Sequence, residues 1–508
     1  MRPSQNRTLT FKSLFRGALA LGLGYAFGAF LASVLSDPAR AQEAEKPAEG
    51  GITLENCRIR GLSVPARCGA FSVFEDREAA SGRQIDLRVV IIPAQASRPE
   101  PDPVFVLAGG PGQAASELAA AVGNRLDKIR ERRDIVLVDQ RGTGESNGLQ
   151  CSFAEDEDIE RALSTDLMER ELVTECRDSF ADTDLTKYTT SIAMDDLDDV
   201  RAALGYETIN VYGGSYGTRA GLVYLRRHEE HVRTALLDGV APPGMNLPLP
   251  MGRDAQRALE LLFEDCAAST ECSERFGDLE STWGELVNRL ESGPIDAEVL
   301  HPRTGERLQI PISAEVFGST IRGALYSPDL SSLIPLTVER AAAGDFQTLI
   351  TLAQPLSSAP MYFGMFLSVV CAEDVPRIDR TEIDEAASAS ILGRASVRTI
   401  TNACTVWPQA DVPETYYEPV QSAKPVLVLS GRLDPVTPPA WGDSILDGLS
   451  ESTHLVAPGA GHGVAFRTCM ADVTTAFIES GTAEGLDSSC VETLERPPFF
   501  LTAAGTSP

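Results

Sequence analysis

The sequence predicts an α/β fold in which a mostly parallel sheet of eight strands is flanked by helices. Short apolar runs alternate with amphipathic helical stretches, which is the pattern of β-α-β units. Several of these runs lead directly into glycine-rich or polar loops, and one leads into a glycine-flanked serine followed by a helix. The predicted strands end near residues 74, 92, 108, 138, 212, 237, 429 and 456.

A long insertion separates the sixth and seventh predicted strands. Its apolar residues recur at helical spacing, for example over residues 255–263, and predict a mainly helical cap in which these stripes serve packing. The expected organisation has four segments: a signal peptide over 1–41, the first part of the core over 42–243, the cap over 244–412 and the C-terminal part of the core over 413–508.

The pattern Gly-x-Ser-x-Gly occurs at Gly213, Ser215 and Gly217, between a β-branched run and a helical stretch. At a sharp strand-to-helix turn, glycines are needed where a Cβ would clash, and the serine hydroxyl is lifted clear of the sheet. Ser215 is therefore the predicted nucleophile.

A second match to the same pattern has Ser146 at its centre, between Gly144 and Gly148. Several residues separate it from the preceding strand, and the acidic, cysteine-containing segment after it is not an amphipathic helix. The pattern alone has little specificity, so this context favours Ser215 over Ser146.

A serine nucleophile needs a histidine base, and the base needs an acid that fixes its tautomer. On a turn of this kind the acid and then the base follow the serine along the chain. His462 lies between glycines just after a short strand-like run, which predicts a loop that can place its imidazole over the serine. The other histidines lie in a strand or in charged and polar stretches: His228, His231, His301 and His454.

Asp434 is the predicted acid because it lies in the loop that leaves the apolar run 425–429. A turn-capping role before Pro435 is the other interpretation of this residue. Asp238, which ends the preceding apolar run 235–237, is the alternative acid.

An acyl-transfer site also needs two backbone N–H groups that face the developing oxyanion. One is normally that of the residue after the nucleophile, here Tyr216, and the other comes from an earlier loop. The turn 109–112 follows a buried strand and carries no bulky side chains, which makes Gly110 the predicted second donor. An ordinary glycine-rich turn is the alternative.

Five motifs together resemble the prolyl aminopeptidase and tripeptidyl aminopeptidase family of α/β-hydrolases. They are Gly-Gly-Pro-Gly at 109–112, Asp-Gln-Arg-Gly-Thr-Gly-Glu-Ser at 139–146, Gly-Gly-Ser-Tyr-Gly-Thr at 213–218, Gly-Arg-Leu-Asp-Pro-Val-Thr-Pro at 431–438 and Gly-His-Gly at 461–463. The C-terminal segment with Cys469 and Cys490 is similar to that of the secreted tripeptidyl aminopeptidases. Ala108 stands where many prolyl aminopeptidases have histidine, a difference that concerns prolyl specificity rather than fold.

The resemblance implies an α/β-hydrolase fold and an exopeptidase whose cap carries the acids that receive the ammonium group of the substrate. Glu373, with Asp374 second, follows an apolar run within the predicted cap and is the best local candidate. A surface turn beside a disulfide is the alternative interpretation of this pair.

The N-terminal segment has the features of an export signal. Basic residues precede the apolar stretch 17–35, and Ala39-Arg40-Ala41 forms a small-residue cleavage site. An uncleaved membrane anchor is the alternative, because the stretch is close to the length that spans a bilayer. The expected location is therefore the periplasm or the exterior.

Ten cysteines in an exported chain favour disulfides over metal ligation. They occur in sequential couples, although many other pairings are possible. The proposed pairs are Cys57–Cys68, Cys151–Cys176, Cys266–Cys272, Cys371–Cys404 and Cys469–Cys490. No C-x-x-C or Cys/His zinc spacing occurs, so neither a metal nor another cofactor is expected.

A net charge of −29 opposes binding to nucleic acid, and the region after the signal contains no Lys/Arg-rich stretch that would offset it. Peptide substrates are the expected partners, with no membrane association once the signal is cleaved. The predicted function is an exported serine aminopeptidase that forms an acyl-enzyme on Ser215. A carboxylic-ester hydrolase with the same triad is the alternative, and a non-catalytic binding protein is less favoured because the set of site residues is complete.

Overall fold

The computed structural model describes residues 51–151, 153, 168–353 and 360–506. The predicted signal segment 1–41 lies outside the described residues. The strands are β1 (Glu55–Cys57), β2 (Ala66–Phe74), β3 (Gln84–Ile92), β4 (Val104–Leu107), β5 (Ile135–Val138), β6 (Ile209–Gly214), β7 (Val232–Asp238), β8 (Ile295–Leu300), β9 (Arg307–Ile312), β10 (Val426–Gly431) and β11 (Ser452–Ala457).

The helices flank this sheet and build the insertion. They are α1 (Ala119–Arg125), α2 (Asp127–Arg130), α3 (Arg170–Asp178), α4 (Thr190–Ala203), α5 (Tyr216–Arg227), α6 (Pro250–Ala268), α7 (Thr270–Phe276), α8 (Leu279–Glu291), α9 (Ala314–Leu325), α10 (Pro328–Ser331), α11 (Ile334–Ala342), α12 (Gln347–Leu352), α13 (Phe363–Glu373), α14 (Arg380–Ala389), α15 (Ile391–Ala403), α16 (Pro439–Asp443) and α17 (Met470–Ser480).

The main sheet has the order β1-β2-β3-β5-β4-β6-β7-β10-β11. Its first three strands are antiparallel to their neighbours, and β4 to β7, β10 and β11 form its parallel part. The mostly parallel α/β sheet is therefore confirmed, but within the described residues it has nine strands rather than eight. The additional strand is β1, a three-residue polar strand that pairs with β2 and lacks an apolar pattern, so the insertion follows the seventh strand.

The parallel strands are buried on both faces, and their continuous apolar sequences fit this burial. Every residue of β4 and β5 is buried, and both consist of Val, Leu, Ile and Phe. The register places Gly214 of β6 beside Asp238 of β7, and Asp238 beside Leu429 of β10. The loops that carry Ser215 and Asp434 therefore leave β6 and β10, the two strands that flank β7, at the same edge of the sheet.

Helices cover both faces of the sheet. On one face, α4 and α5 pack side chains such as Leu197 and Leu222 against it. On the other face, α1 and α17 contribute Val122 and Phe477 to a second apolar layer. A sheet between two helical layers is the architecture expected for alternating strands and helices.

The insertion between β7 and β10 is mainly helical, and it also contains the antiparallel hairpin of β8 and β9. Much of it surrounds an apolar core of its own, which includes Trp283 and Phe317. Helix α13 differs, because its Met365 packs in a cluster with Tyr188 and Tyr216 of the α/β core. Treatment of 244–412 as one cap domain stays a prediction.

All ten cysteines are paired, in the five couples proposed from the sequence: Cys57–Cys68, Cys151–Cys176, Cys266–Cys272, Cys371–Cys404 and Cys469–Cys490. In the part of the chain that the structure describes, we find no helix with the length and apolar character needed to cross a membrane.

Candidate active site

Ser215 lies between β6 and α5 with φ of 56° and ψ of −126°, a backbone conformation that a non-glycine residue rarely adopts. The flanking glycines permit this turn. A Cβ on Gly213 would lie 2.2 Å from the Gly217 carbonyl oxygen, and a Cβ on Gly217 would lie 2.2 Å from the Leu107 carbonyl oxygen. The geometry is that of a nucleophile elbow with a partly exposed serine.

Ser146, the second serine in a Gly-x-Ser-x-Gly pattern, has a different environment. It is fully buried, and its backbone N–H donates to the Thr143 carbonyl at 2.8 Å within a tight turn. Its Oγ accepts a hydrogen bond from the Arg88 backbone N–H at 2.8 Å. Ser146 therefore joins a loop to β3 and does not occupy a strand-to-helix elbow.

The structure brings His462 and Asp434 together at the edge where Ser215 lies. His462 Nδ1 is 2.8 Å from Asp434 Oδ2. Asp434 is fully buried, and its Oδ1 accepts the backbone N–H groups of Val436 at 2.8 Å and Thr437 at 2.9 Å. The Thr437 hydroxyl donates to Asp434 Oδ2 at 2.8 Å. Donors of its own loop thus hold the Asp434 carboxylate in place, which is required of a carboxylate that orients a histidine.

Burial and charge act in opposite directions on this pair. Burial of the His462 imidazole opposes its protonation, but the Asp434 carboxylate outweighs burial, and the pKa of His462 is raised. Burial would raise the pKa of Asp434, yet His462 and the loop amides outweigh it, and that pKa is lowered. Asp434 therefore favours the ionised form and stabilises a positive charge on the His462 imidazole.

Asp238, the alternative acid, has a structural task in the same region. It is buried, and its carboxylate accepts the backbone N–H of Val464 at 2.8 Å and that of Ala465 at 2.9 Å. Burial raises its pKa, and these hydrogen bonds act against that effect. Asp238 therefore holds the segment immediately after His462, whereas Asp434 contacts the imidazole itself.

A cavity of about 540 Å³ opens at this edge and is lined by both Ser215 and His462. Tyr212 of β6 and Asp329 of α10 also line it. The His462 backbone N–H donates to the Tyr326 carbonyl at 3.0 Å, so this part of the insertion is attached to the histidine loop. The cavity is large enough for a few residues of a peptide.

The two predicted oxyanion donors flank Ser215 differently. The Tyr216 N–H belongs to the first residue of α5, where no helical carbonyl can accept it. Of the glycine-rich turn, Gly109 lines the cavity, and a Cβ on it would lie 3.3 Å from Ser215 Cβ. Gly110 is one residue further along, against the sulfur of Met361. The assignment of Tyr216 and Gly110 as donors stays a prediction.

Glu373 and Asp374 do not reach the cavity. Both are fully buried at the end of α13, where Asp374 accepts Arg219 Nη1 at 3.0 Å and Nη2 at 3.1 Å. Glu373 accepts the Thr190 backbone N–H at 2.6 Å and the Tyr416 hydroxyl at 2.5 Å. An incoming ammonium group would have to displace Arg219, so the structure corrects the expected placement of these acids at the substrate.

The physical reason for this correction is that α13 packs against the α/β core and not against the apolar centre of the insertion. Burial raises the pKa of both carboxyl groups, and the Arg219 guanidinium acts in the opposite direction. Glu373 also meets Thr190 Oγ1 at 2.9 Å, and that hydroxyl lies 2.7 Å from the Tyr216 hydroxyl. Through these contacts with Tyr216 and Arg219, Glu373 and Asp374 stabilise the first turn of α5.

Sequence reasoning missed Asp329, Arg219 and Thr437. Thr437 was detectable, because a hydroxyl three residues after an acid in a turn commonly bonds that acid. Arg219 is two residues beyond Gly217 of the elbow motif, but its partner Asp374 is 155 residues away in the chain. Asp329 had no local signal, since only the fold brings α10 to the cavity.

Three other histidines belong to ion-pair and hydrogen-bond networks away from this cavity. His454 contacts Asp443 and Ser430, each at 2.9 Å. Asp198, His228 and His231 have candidate metal-ligand atoms within 4.8 Å of one another. Burial would raise the pKa of Asp198, but hydrogen bonds from Arg201 and Tyr224 outweigh it and lower that pKa to about 2. The residues of this cluster therefore already pair with one another and with Arg201.

The raised pKa of His462 predicts the acid limb of the pH profile. In the predicted triad the neutral imidazole is the base, so kcat/KM should fall as the pH drops through this pKa, with a midpoint above the ordinary value of 6.5. In Asp434→Asn the midpoint of the residual activity should move downward, because burial, the largest effect on this pKa, is then opposed only by the more distant Asp238. Initial rates across the acid and neutral range test this, and a wild-type midpoint at or below 6.5 would contradict it.

Two family descriptions match this chain. Residues 102–267 match the alpha/beta hydrolase fold family, and residues 390–490 match the family described as TAP-like protein. The first segment contains the elbow, and the second contains Asp434 and His462. The matches therefore cover the parts of the chain that form the site.

Three curated relatives are similar to this chain over different lengths. Serine protease Hip1 of Mycobacterium tuberculosis (strain ATCC 25618 / H37Rv) is 26% identical over 490 residues, which cover 89% of this chain and 93% of that protein. Tripeptidyl aminopeptidase of Streptomyces lividans is 24% identical over 499 residues, which cover 88% of each chain. The probable proline iminopeptidase of Streptomyces coelicolor is 34% identical over 143 residues, or 28% of this chain and 34% of that protein.

Proposed function

This chain has the α/β-hydrolase fold and is a serine hydrolase, and from that premise we propose that it is an exported serine aminopeptidase. It would hydrolyse peptide bonds near a free N-terminus and release one residue or a short peptide. The observation that carries the proposal is the buried Asp434 at 2.8 Å from His462, with Ser215 on a nucleophile elbow in the same cavity. The named activities of the relatives support the choice of peptides as substrates.

The chemistry follows from the atoms that are available. His462 Nδ1 is engaged by Asp434, which leaves Nε2 to take the proton from Ser215 Oγ as that oxygen attacks the scissile carbonyl. The Tyr216 and Gly110 amides hold the oxyanion of the tetrahedral intermediate. His462 then returns the proton to the leaving amine, and water hydrolyses the ester on Ser215 by the same steps in reverse order.

Asp329 is the acid that we place at the substrate's ammonium group. It is exposed, it lines the cavity from the insertion, and no ion pair occupies it among the described residues. Its helix α10 lies two residues beyond Tyr326, whose carbonyl accepts the His462 N–H. An ammonium group on Asp329 would therefore lie at a set distance from Ser215, as an exopeptidase requires.

Export is supported by the five disulfides, which form and persist outside the reducing cytosol. We place the reaction in the periplasm or outside the cell, with residues 1–41 as the signal and 244–412 as a cap that restricts access to Ser215. Peptides are the partners in this proposal, with no role for nucleic acid or for membrane after signal cleavage.

The proposal is tested with amide substrates of one, two or three residues, each with a free and an acetylated N-terminus, beside simple p-nitrophenyl esters. Cleavage that requires the free amine supports an aminopeptidase, and the substrate length that is cleaved shows how many residues are released. Cleavage of esters alone, indifferent to acetylation, would replace the proposal with a carboxylic-ester hydrolase. If no substrate is cleaved, a non-catalytic binding protein would be favoured.

Asp329→Asn should lower the preference for a free over an acetylated N-terminus by about tenfold, because a charge-assisted contact is replaced by a neutral one. The measured quantity is the ratio of kcat/KM for the two substrates. Asp296→Asn, on the exposed hairpin strand β8, is the matched control and should keep the wild-type ratio. An unchanged ratio in Asp329→Asn would remove this residue from amine recognition.

A further inference from the structure

Two arginines line the same cavity as Ser215 and His462. Arg125 is the exposed last residue of α1, and Arg467 lies in the segment between His462 and α17. In a chain with a net charge of −29, this cavity carries two guanidinium groups beside the carboxylates of Asp238 and Asp329. A guanidinium group without an ion-pair partner in a cavity wall attracts anionic groups of a ligand.

Neither guanidinium has an ion-pair partner among the residues that the structure describes. Other arginines of the core are paired: Arg141 lies 2.7 Å from Asp196, and Arg219 lies 3.0 Å from Asp374. Arg467 uses Nε to donate to the Gly463 carbonyl at 3.2 Å, which leaves its terminal nitrogens for another acceptor. That bond joins Arg467 to the residue that follows His462.

The segments that carry the two arginines are held side by side. Lys128 of α2 contacts Asp472 of α17 through its ammonium group, so the end of α1 lies near the start of α17. Phe466 packs edge-on against Tyr212 with ring centroids 5.1 Å apart, and Cys469 is bonded to Cys490. The backbone on both sides of Arg467 is thus anchored, and its side chain is presented to the cavity.

We propose that Arg125 and Arg467 form a carboxylate-binding subsite beside the catalytic serine, and that this protein prefers peptides that present a carboxylate there. The inference rests on the proposed peptidase function. Guanidinium groups match the planar carboxylate with paired N–H donors, and two of them raise both affinity and geometric selectivity. With Asp329 in the same cavity, a zwitterionic peptide meets an acid for its ammonium group and bases for its carboxylate.

The carboxylate has two possible sources, and matched substrates separate them. One pair carries Glu or Gln next to the scissile bond, on either side and with the C-terminus amidated. The other is a neutral short peptide with a free or an amidated C-terminus. The source is the carboxylate of the pair whose two members are cleaved at different rates. In that pair wild type should favour the member with the carboxylate by about tenfold in kcat/KM, which is the size of effect expected for charge-assisted hydrogen bonds.

Arg125→Gln and Arg467→Gln should each reduce this preference, and the double variant should bring the ratio of acidic to neutral substrate close to one. Added salt should reduce the ratio in wild type more than in the double variant, since exposed charges are screened. Arg398→Gln on the exposed face of α15 is the control and should keep the wild-type ratio. Equal ratios in wild type and the double variant would overturn the subsite.

Failure of the proposed function would be recognised separately, because wild type would then cleave none of the peptides. The subsite is tested in that case by calorimetric binding of the same Glu and Gln peptides, and of the free-acid and amidated peptides, to Ser215→Ala. Tighter binding of an acidic member to Ser215→Ala than to Ser215→Ala with both arginines changed to Gln supports it. Equal binding of all members overturns it.

Discussion

Ser215→Ala is expected to reduce kcat by roughly 10⁴- to 10⁶-fold while the protein stays folded, since the nucleophile of such a site accounts for most of its rate enhancement. Loss of one partly exposed hydroxyl leaves no buried group without a partner. The substitution also keeps the positive φ of residue 215, which an alanine tolerates no worse than a serine. Turnover of the best amide substrate, with circular dichroism as the folding control, measures the effect.

Ser146→Ala is the matched variant, because it changes the other serine in a Gly-x-Ser-x-Gly pattern. Its loss leaves the Arg88 backbone N–H without its acceptor, so we expect about 1–3 kcal/mol of destabilisation. Substantial activity should remain, since Ser146 is absent from the cavity lining. Equal loss of activity in both variants, or activity that survives in Ser215→Ala, would refute the assignment of the elbow.

Asp434→Asn should have the second-largest effect, a fall in kcat of about 10⁴-fold with little change in overall structure. The amide of the new side chain can donate to His462 Nδ1, which would stabilise the wrong tautomer and leave Nε2 with a proton. The neighbouring amides of Val436 and Thr437 still find an oxygen at position 434, so the loop keeps its form. Steady-state kinetics on purified protein provide the test.

Asp238→Asn distinguishes the two acids. In this variant the new side-chain NH₂ group would face the backbone N–H groups of Val464 and Ala465, which lose an acceptor. We therefore expect a loss of about 1–3 kcal/mol in the free energy of unfolding. The loss of kcat should be much smaller than in Asp434→Asn, because His462 keeps its partner. A larger kinetic effect at Asp238 than at Asp434 would exchange their assigned roles.

Sequence patterns were sufficient for most of the fold. Buried parallel strands read as continuous apolar runs, so β4, β5 and β10 were recognisable, and glycine spacing identified the turn that carries Ser215. The short strand β1 escaped detection because three polar residues have no periodicity. It forms by pairing with β2, and that partner is specified only when the chain is folded.

The amine-binding acids show where local reasoning ends. Glu373 and Asp374 follow an apolar run in the insertion, and nothing in that run states which core it joins. In the structure the run is α13, packed against Tyr188 and Tyr216, with Arg219 as the partner of the acids. Asp329 had no motif, and its place at the cavity depends on how α10 meets the histidine loop.

The sequence by itself determined the kind of sheet, the elbow, and candidates for base and acid, because these depend on short-range sterics and on the order of loops after strands. The tertiary structure decided which carboxylate contacts His462, which acids and bases line the cavity and which charges are already paired. Those outcomes depend on contacts between residues far apart in the chain, such as Asp238 with Val464 and Arg219 with Asp374. A linear pattern carries no distance between such residues, so only packing could assign them.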